Sequence, residues 1–258
     1  MSDDAAQSWR HDLDAWAIPD AILSSASESP WIHPPVLFDI PDVIATSPSH
    51  ERAREALRPG GSVLDVGCGG GVAAFALTPP AGHVIGVDHQ REMLEMFATN
   101  AATRGVSAET YEGFWPAVSE EVPHADVVTA HHVVYNVGDI VPFLAALQEH
   151  ATRRVILEMP QQHPLATLAD AWRHFWQLER PNAPVPSDLA AVLDEMGIDV
   201  TIENWNGPMR EEHDLDHAAH FTRIRLCLPE DREGEVREYL RDNPPPLTRE
   251  LATIWWDV

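Results

Sequence analysis

The chain contains no lysine. All 17 of its basic residues are arginine, against 41 aspartates and glutamates, for a formal net charge of −24. An acidic surface of this kind repels phosphate backbones, and the arginines are scattered, with Arg153-Arg154 the only adjacent pair, which argues against a nucleic-acid partner. Cysteine is nearly absent as well. Cys68 and Cys227 alone cannot make a disulfide framework, so a reducing, cytoplasmic setting is the expectation. Long apolar runs are missing, which leaves no transmembrane helix and no membrane partner to expect. The opening MSDDAAQSWRHDLDAW is acidic and without an apolar core, unlike a secretory signal. No internal repeat and no low-complexity tract breaks the chain.

What is present is a chain of 258 residues, 44% hydrophobic, enough to bury the core of one large domain or of a domain with a cap. Residues 1–58 read as helices and loops interrupted by Pro30, Pro34, Pro35, Pro41 and Pro48. From Ser62 onward short apolar runs alternate with helical spacing, the pattern of a parallel α/β sheet. Strands are predicted at 62–66, 83–88, 107–112, 125–132 and 153–159. Helices between them are supported by Met93, Leu94, Met96 and Phe97, and by Ile140, Phe143, Leu144 and Leu147. After the fifth strand, Leu165, Leu168, Trp172, Phe175 and Trp176 share a helical face, and ERPNAPVP imposes an extended loop. A helix over 187–196 follows, with Ser187 as N-cap and Gly197 as stop. DVTIENW and HFTRIRLCLP read as two further strands, paired antiparallel because no crossover helix separates them. A helix over 232–240 and the tail LATIWWDV complete the reading. The expected fold is a Rossmann-like, seven-stranded, mostly parallel sheet with an antiparallel last strand, helices on both faces and an N-terminal helical cap. The expected division is a cap over 1–58 and a main domain over 59–258 carrying a covering insert at 161–187.

The strongest chemical signal is VLDVGCGGG at 63–71. A buried strand ends in an acid, and a glycine-rich turn then opens a helix. Gly67, Gly69 and Gly71 permit close approach of backbone to a ligand and positive φ where required. Counted from Gly67, a dinucleotide fingerprint needs glycine or alanine at position 72, where Val72 stands. A register from Gly69 through Gly71 to Ala74 is also available, so the glycines alone leave the ligand open. Asp65, two residues before the first glycine, suits a ligand with an amino group better than one with a pyrophosphate.

DVGCGGG resembles the first motif of class I S-adenosylmethionine (SAM)-dependent methyltransferases. The resemblance implies that Asp65, Gly67, Cys68 and Gly69 handle the methionine end of SAM, and that S-adenosylhomocysteine is the product. It also implies that Asp88, 19 residues after Gly69 at the end of the second strand, accepts hydrogen bonds from the ribose hydroxyls, with His89 bordering the adenine. The family's third motif has an acid where this chain has Phe114 in YEGFWPAV, so Phe114 or Trp115 would stack on adenine instead. The fourth strand runs into TAHHVVYN, under the reactive methyl group in this fold. Strand alternation sends His131 and His132 to opposite sides, one of them facing the ligand as a candidate base, with Tyr135 and Asn136 lining the pocket. His163, on the loop after strand five, is a candidate for substrate contact and catalysis. Trp172 and the lid segment WIHPPVLF, with Trp31, are candidates for the substrate wall. His213, His217 and His220 stand at helical spacing that can bind a metal, but no further ligand pattern supports them and no metal is expected.

The class I resemblance covers about residues 60–229. The segments WPAV, HHVVYNV, LERP, RLCLP and the terminal WW are also similar to a bacterial, largely uncharacterised methyltransferase family with no assigned substrate. The reaction this implies is in-line methyl transfer to an O, N, S or C atom of a small molecule. Alternatives are a methyltransferase acting on a peptide, a protein or RNA, and a non-catalytic SAM-binding regulator. The oligomeric state stays open, a homodimer among the options.

Overall fold

The computed structural model describes residues 4–31, 40–209 and 214–258. Seven strands form one sheet: β1 (Ser62–Val66), β2 (His83–Asp88), β3 (Ser107–Glu112), β4 (Ala125–His131), β5 (Ala151–Pro160), β6 (Thr201–Pro208) and β7 (Thr248–Asp257). Their order across the sheet is β3-β2-β1-β4-β5-β7-β6. The first five pair in parallel. β7 is antiparallel to both β5 and β6, so β6 runs in the direction of the first five and β7 is the one reversed strand. The strand order reverses between β1 and β4, and the carboxyl ends of those strands are where an open α/β sheet binds its ligands.

Strand alternation supplies two cores. Leu64, Ile85, Val128 and Val155 face one side with α1 (Asp4–Asp14), α6 (Ile140–His150) and α8 (Pro186–Glu195). Val63, Val84, Val127 and Ile156 face the other side with α3 (Pro48–Ala56), α4 (Val72–Phe75) and α5 (Arg91–Arg104). A third cluster lies off the sheet. Ile18 and residues of α2 (Asp20–Leu23), α7 (Ala169–Trp176), α9 (Leu215–Arg225) and α10 (Glu233–Asp242) meet there around Trp172, Leu226, Leu228 and Val236. The first 58 residues are thus spread over all three clusters. Among the described residues no helix is long and apolar enough to cross a membrane.

Three local expectations are corrected. HFTRIRLCLP is not a strand; its first residues complete α9. The alternation of Ile224, Leu226 and Leu228 with charged or small residues imitates a strand, yet both phases are buried. Arg223 lies inside the third cluster with Glu28 at 2.6 Å and Glu233 at 3.1 Å, and Asp214 caps the helix by accepting from the Asp216 N–H at 2.9 Å. The seventh strand is instead the tail, whose inward residues Leu251, Ala252, Thr253, Ile254 and Trp256 are buried. Ser187 is not the N-cap of α8. That helix begins at Pro186, after Val185, whose N–H donates to the Asp188 carboxylate at 2.8 Å.

Trp9 ties α1 to the sheet. It is fully buried, and its indole N–H donates to the Val137 carbonyl at 2.9 Å. Trp9→Ala is expected to cost about 3–5 kcal/mol of stability, read as a lowered urea midpoint. An unchanged midpoint would show that α1 is a detachable cap.

Candidate functional site

The glycine turn is held against the neighbouring strand. Gly67 and Cys68 both donate their N–H groups to the Val87 carbonyl, at 2.8 and 3.1 Å. Gly67 has φ +70°, and a Cβ there would sit 2.5 Å from Val133 Cγ2. Two acids close the turn. The Asp88 carboxylate accepts from the Gly69 N–H at 3.0 Å and from the Gln90 N–H at 2.9 Å. The Asp65 carboxylate accepts from the Ala74 N–H and the Thr129 hydroxyl, each at 3.2 Å. Burial pushes the Asp65 carboxyl up to about 7, against the pull of those two hydrogen bonds. The Cys68 thiol is buried under Gly86, where a Cβ would meet Sγ at 2.9 Å, and donates to the Gly69 carbonyl of the turn at 3.6 Å.

Beyond Asp88, the His89 ring stacks on Phe114 with centroids 4.7 Å apart and planes 20° apart. Phe114 is 69% exposed, an aromatic face open to a ligand. Trp115 points elsewhere: its indole N–H donates to the Phe143 carbonyl at 3.2 Å, and its ring meets His150 edge-on.

At the ends of β4 and β5 the two histidines do not separate as strand alternation predicts. Residue 131 is the last of β4 and registers with Glu158 of β5. His132 then adopts φ +60°, a left-handed conformation uncommon outside glycine. Its Nε2 lies 3.0 Å from Glu158 Oε1 and 3.2 Å from an Arg249 guanidinium nitrogen. Both imidazoles therefore gather at Glu158. His131 also stacks on His50 of α3, with centroids 5.7 Å apart. His131 Nε2 and His132 Nδ1 are buried without a hydrogen-bond partner. Burial pushes His131 down to about 4. Burial alone would raise Glu158, but the neighbouring His131 charge and the His132 hydrogen bond outweigh it and hold Glu158 well below the usual carboxylate range. Ser47 adds a hydroxyl at 3.4 Å.

His163 is buried. Its Nδ1 accepts from the Leu165 N–H at 3.2 Å, its ring also hydrogen-bonds the Tyr135 backbone, and burial pushes it down to about 4. It stacks on Trp16 at 4.2 Å and meets the Tyr135 ring edge-on at 5.6 Å. Arg180 lies over both Trp16 and Trp172, 5.2 Å from each ring. Trp172 is thus buried in the helical cluster, while Asn136 is exposed on the turn after β4. Trp31 is exposed and lines an open depression with Leu23 and Glu28. The rest of the expected lid, residues 32–38, lies outside the described residues, as does His213. His220 pairs with Glu233 at 3.0 Å, and His217 packs on Phe221.

Glu158, His50, Arg180, Arg249 and Trp16 escaped the sequence reading. Glu158 had a signal: RRVILEM ends a buried strand in an acid, as Asp65 and Asp88 do. The others come from distant segments that only the fold brings to this edge.

A family model described as a methyltransferase domain matches residues 63–153. An uncharacterized protein of Haemophilus influenzae is 32% identical over 211 residues, 76% of each chain. The chain belongs to the SAM-dependent methyltransferases. A ubiquinone biosynthesis O-methyltransferase of Hahella chejuensis is 33% identical over 92 residues, 35% of this chain and 39% of its own length, so the chain spans well under half of that relative. The YcgJ protein of Bacillus subtilis has the same fold, with a TM-score of 0.55 at 20% identity, covering 81% of this chain and 97% of its own.

In this methyltransferase the Gly67 turn is strained by design of its neighbour. Gly67→Ala is expected to cost about 1–3 kcal/mol in a thermal or urea melt. Val133→Ala in the same chain should restore part of that loss, leaving the cost of the positive φ. No recovery in the double variant would disprove the Val133 contact as the cause.

Proposed function

We propose that the chain transfers the methyl group of SAM to a small-molecule acceptor beyond the carboxyl ends of β4 and β5. The observation that carries the proposal is the joining of Asp65, the glycine turn and Asp88 at one sheet edge, through the 3.0 Å bond from the Gly69 N–H to Asp88. The donor set fits the cofactor. Each Asp88 oxygen accepts one backbone N–H and keeps a lone pair for a ribose hydroxyl. His89 and Phe114 offer a stacking face for adenine. Asp65 offers a buried carboxylate for the ammonium of the methionine end, and Gly67 and Gly69 give backbone without side chains. Cys68 contributes its backbone only, and Trp115 is committed to the core. Bound there, SAM supplies an electrophilic methyl group.

The chain's own work is then to orient the acceptor, exclude water and take a proton where the acceptor carries one. His132 is the proton acceptor we favour. With Nε2–H donated to Glu158, the Arg249 approach to that nitrogen is a non-bonded contact, and the partnerless Nδ1 carries the lone pair. Glu158 is a positioning residue that fixes this tautomer and stabilises the imidazolium. His131 packs beside it on His50. Tyr135, kept protonated by burial, serves as a wall or donor. His163 has both ring nitrogens engaged and serves as a wall.

Asp88→Ala should weaken SAM binding by about 1.5–3 kcal/mol in titration calorimetry; full affinity in the folded variant would remove Asp88 from the site. A pH test addresses Asp65. Below about 7 its carboxyl is protonated in the free protein, and an arriving ammonium favours the ionised form. SAM affinity should therefore rise with pH and level off above about 7, and Asp65→Asn should flatten that dependence. A flat wild-type profile refutes the ammonium contact. Glu158→Gln should lower turnover by about 10²-fold, because the His132 ring loses the carboxylate that orients it. SAM affinity should change less than about twofold. Loss of SAM binding in step with turnover would reduce Glu158 to a structural role.

A further inference from the structure

Two arginines are buried, and the chain treats them differently. Arg223, 1% exposed, is met by Glu28 and Glu233. Arg180, 9% exposed, is met by no carboxylate among the described residues. Its terminal nitrogens donate to the carbonyls of Trp16 and Ala17, its plane lies between Trp16 and Trp172, and its Nε is buried without a partner. Leaving a buried guanidinium without a counter-charge is costly. The cost stands out in a chain with 41 acidic residues to draw on.

A second cation without an ion pair among the described residues, half-buried, stands near the carboxyl end of β5. Arg249, at the start of β7, reaches the carboxyl end of β5 because β7 is reversed, its neighbour Leu251 registering with Pro160. Arg249 meets the His132 ring at 3.2 Å, and its Nε is likewise buried and unpartnered. Its charge is felt at the Tyr135 hydroxyl, and that of Arg180 at His163. The Tyr135 and His163 rings meet edge-on with centroids 5.6 Å apart.

We infer that the methyl acceptor is an anion, a carboxylate or a phosphate on a planar or apolar body, whose negative group is met by Arg180 and Arg249 beside the Tyr135–His163 pair. The inference rests on the methyltransferase reading and names its substrate class. The chain as a whole repels anions, so the selectivity has to be local, and two guanidinium groups at the acceptor edge that form no ion pair among the described residues supply it. Aromatic faces of Trp16, His163 and Tyr135 suit the body of such a molecule. The same two charges oppose a basic peptide, the acceptor that the overall charge would otherwise favour.

The test uses the full chain saturated with S-adenosylhomocysteine, whose own binding is measured first. Failure of that binding would overturn the cofactor reading, separately from the acceptor. Thermal shifts are then read for a panel of aromatic and aliphatic carboxylates, each beside its primary amide, and for inorganic phosphate. Carboxylates that stabilise the complex where their amides do not support the inference, as does stabilisation by phosphate, which identifies the anion as phosphate-like. Arg249→Gln, at a half-buried position, should weaken the effective anion about tenfold or more while S-adenosylhomocysteine affinity stays within about twofold. Arg180→Gln should do the same, and Arg180→Lys should retain part of the effect if Arg180→Gln fails to fold. Amides that bind as well as acids, a panel with no active anion, or anion binding untouched by Arg249→Gln and by the folded Arg180 variant would each overturn it.

Discussion

Three carboxylates are buried at the carboxyl ends of the sheet: Asp65 at 2%, Asp88 at 8% and Glu158 at 7% exposure. Removing a carboxylate from water costs several kcal/mol unless donors replace its hydration. The local architecture follows from that demand. Gly69 and Gln90 turn their N–H groups to Asp88, the first turn of α4 and Thr129 serve Asp65, and His132 leaves the ordinary backbone region to reach Glu158. The three acids are satisfied to different degrees. Glu158 has the His132 hydrogen bond and stays ionised. Asp65 has two hydrogen bonds and no cation, so its carboxyl titrates near neutrality. A ligand bearing a positive group completes what the chain leaves unfinished at Asp65.

The same accounting applied to cations runs in the opposite direction. Arg223 shows that the fold can bring two acids to a buried guanidinium when the purpose is cohesion, here the joining of α9, α10 and residue 28. Among the described residues Arg180 and Arg249 form no ion pair, although Arg249 shares the His132 Nε2 with Glu158. Asp65 and Asp88 thus stand at the cofactor end of the edge, and Glu158 stands with the two guanidinium groups at the end where the acceptor is proposed.

The first five strands and the glycine turn were legible because each rests on local physics. A run such as VLDVG or VIGVD is buried on both faces and must end where its acid meets the turn, whatever the remote sequence. The acid at the end of RRVILEM carries the same signal, and Glu158 could have been found by it. HFTRIRLCLP misled because its apolar period suits a strand, and only the distant Glu28 and Glu233 make burial of Arg223 in a helix tolerable. The pairing of His131 and His132 was misjudged for a smaller reason. Alternation holds only while the strand continues, and β4 stops at His131, so the left-handed turn at His132 carries its ring back to Glu158.

The acceptor region was the least legible because it has no segment of its own. Trp16 comes from the loop after α1, Tyr135 from the turn after β4, His163 and Arg180 from the insert after β5, and Arg249 from the start of β7. Such a site cannot leave a local motif, since each contributor is a single residue chosen for its place in the fold. The cofactor edge is the reverse: residues 65–71 and 88 lie in two short stretches joined by one strand pairing. The similarity to a ubiquinone biosynthesis O-methyltransferase is confined to 92 residues, 35% of this chain. An acceptor site assembled from four separate segments can change its charge by single substitutions without disturbing the sheet. Its arginines, rather than the shared motif, are therefore where the substrate class of this chain is written.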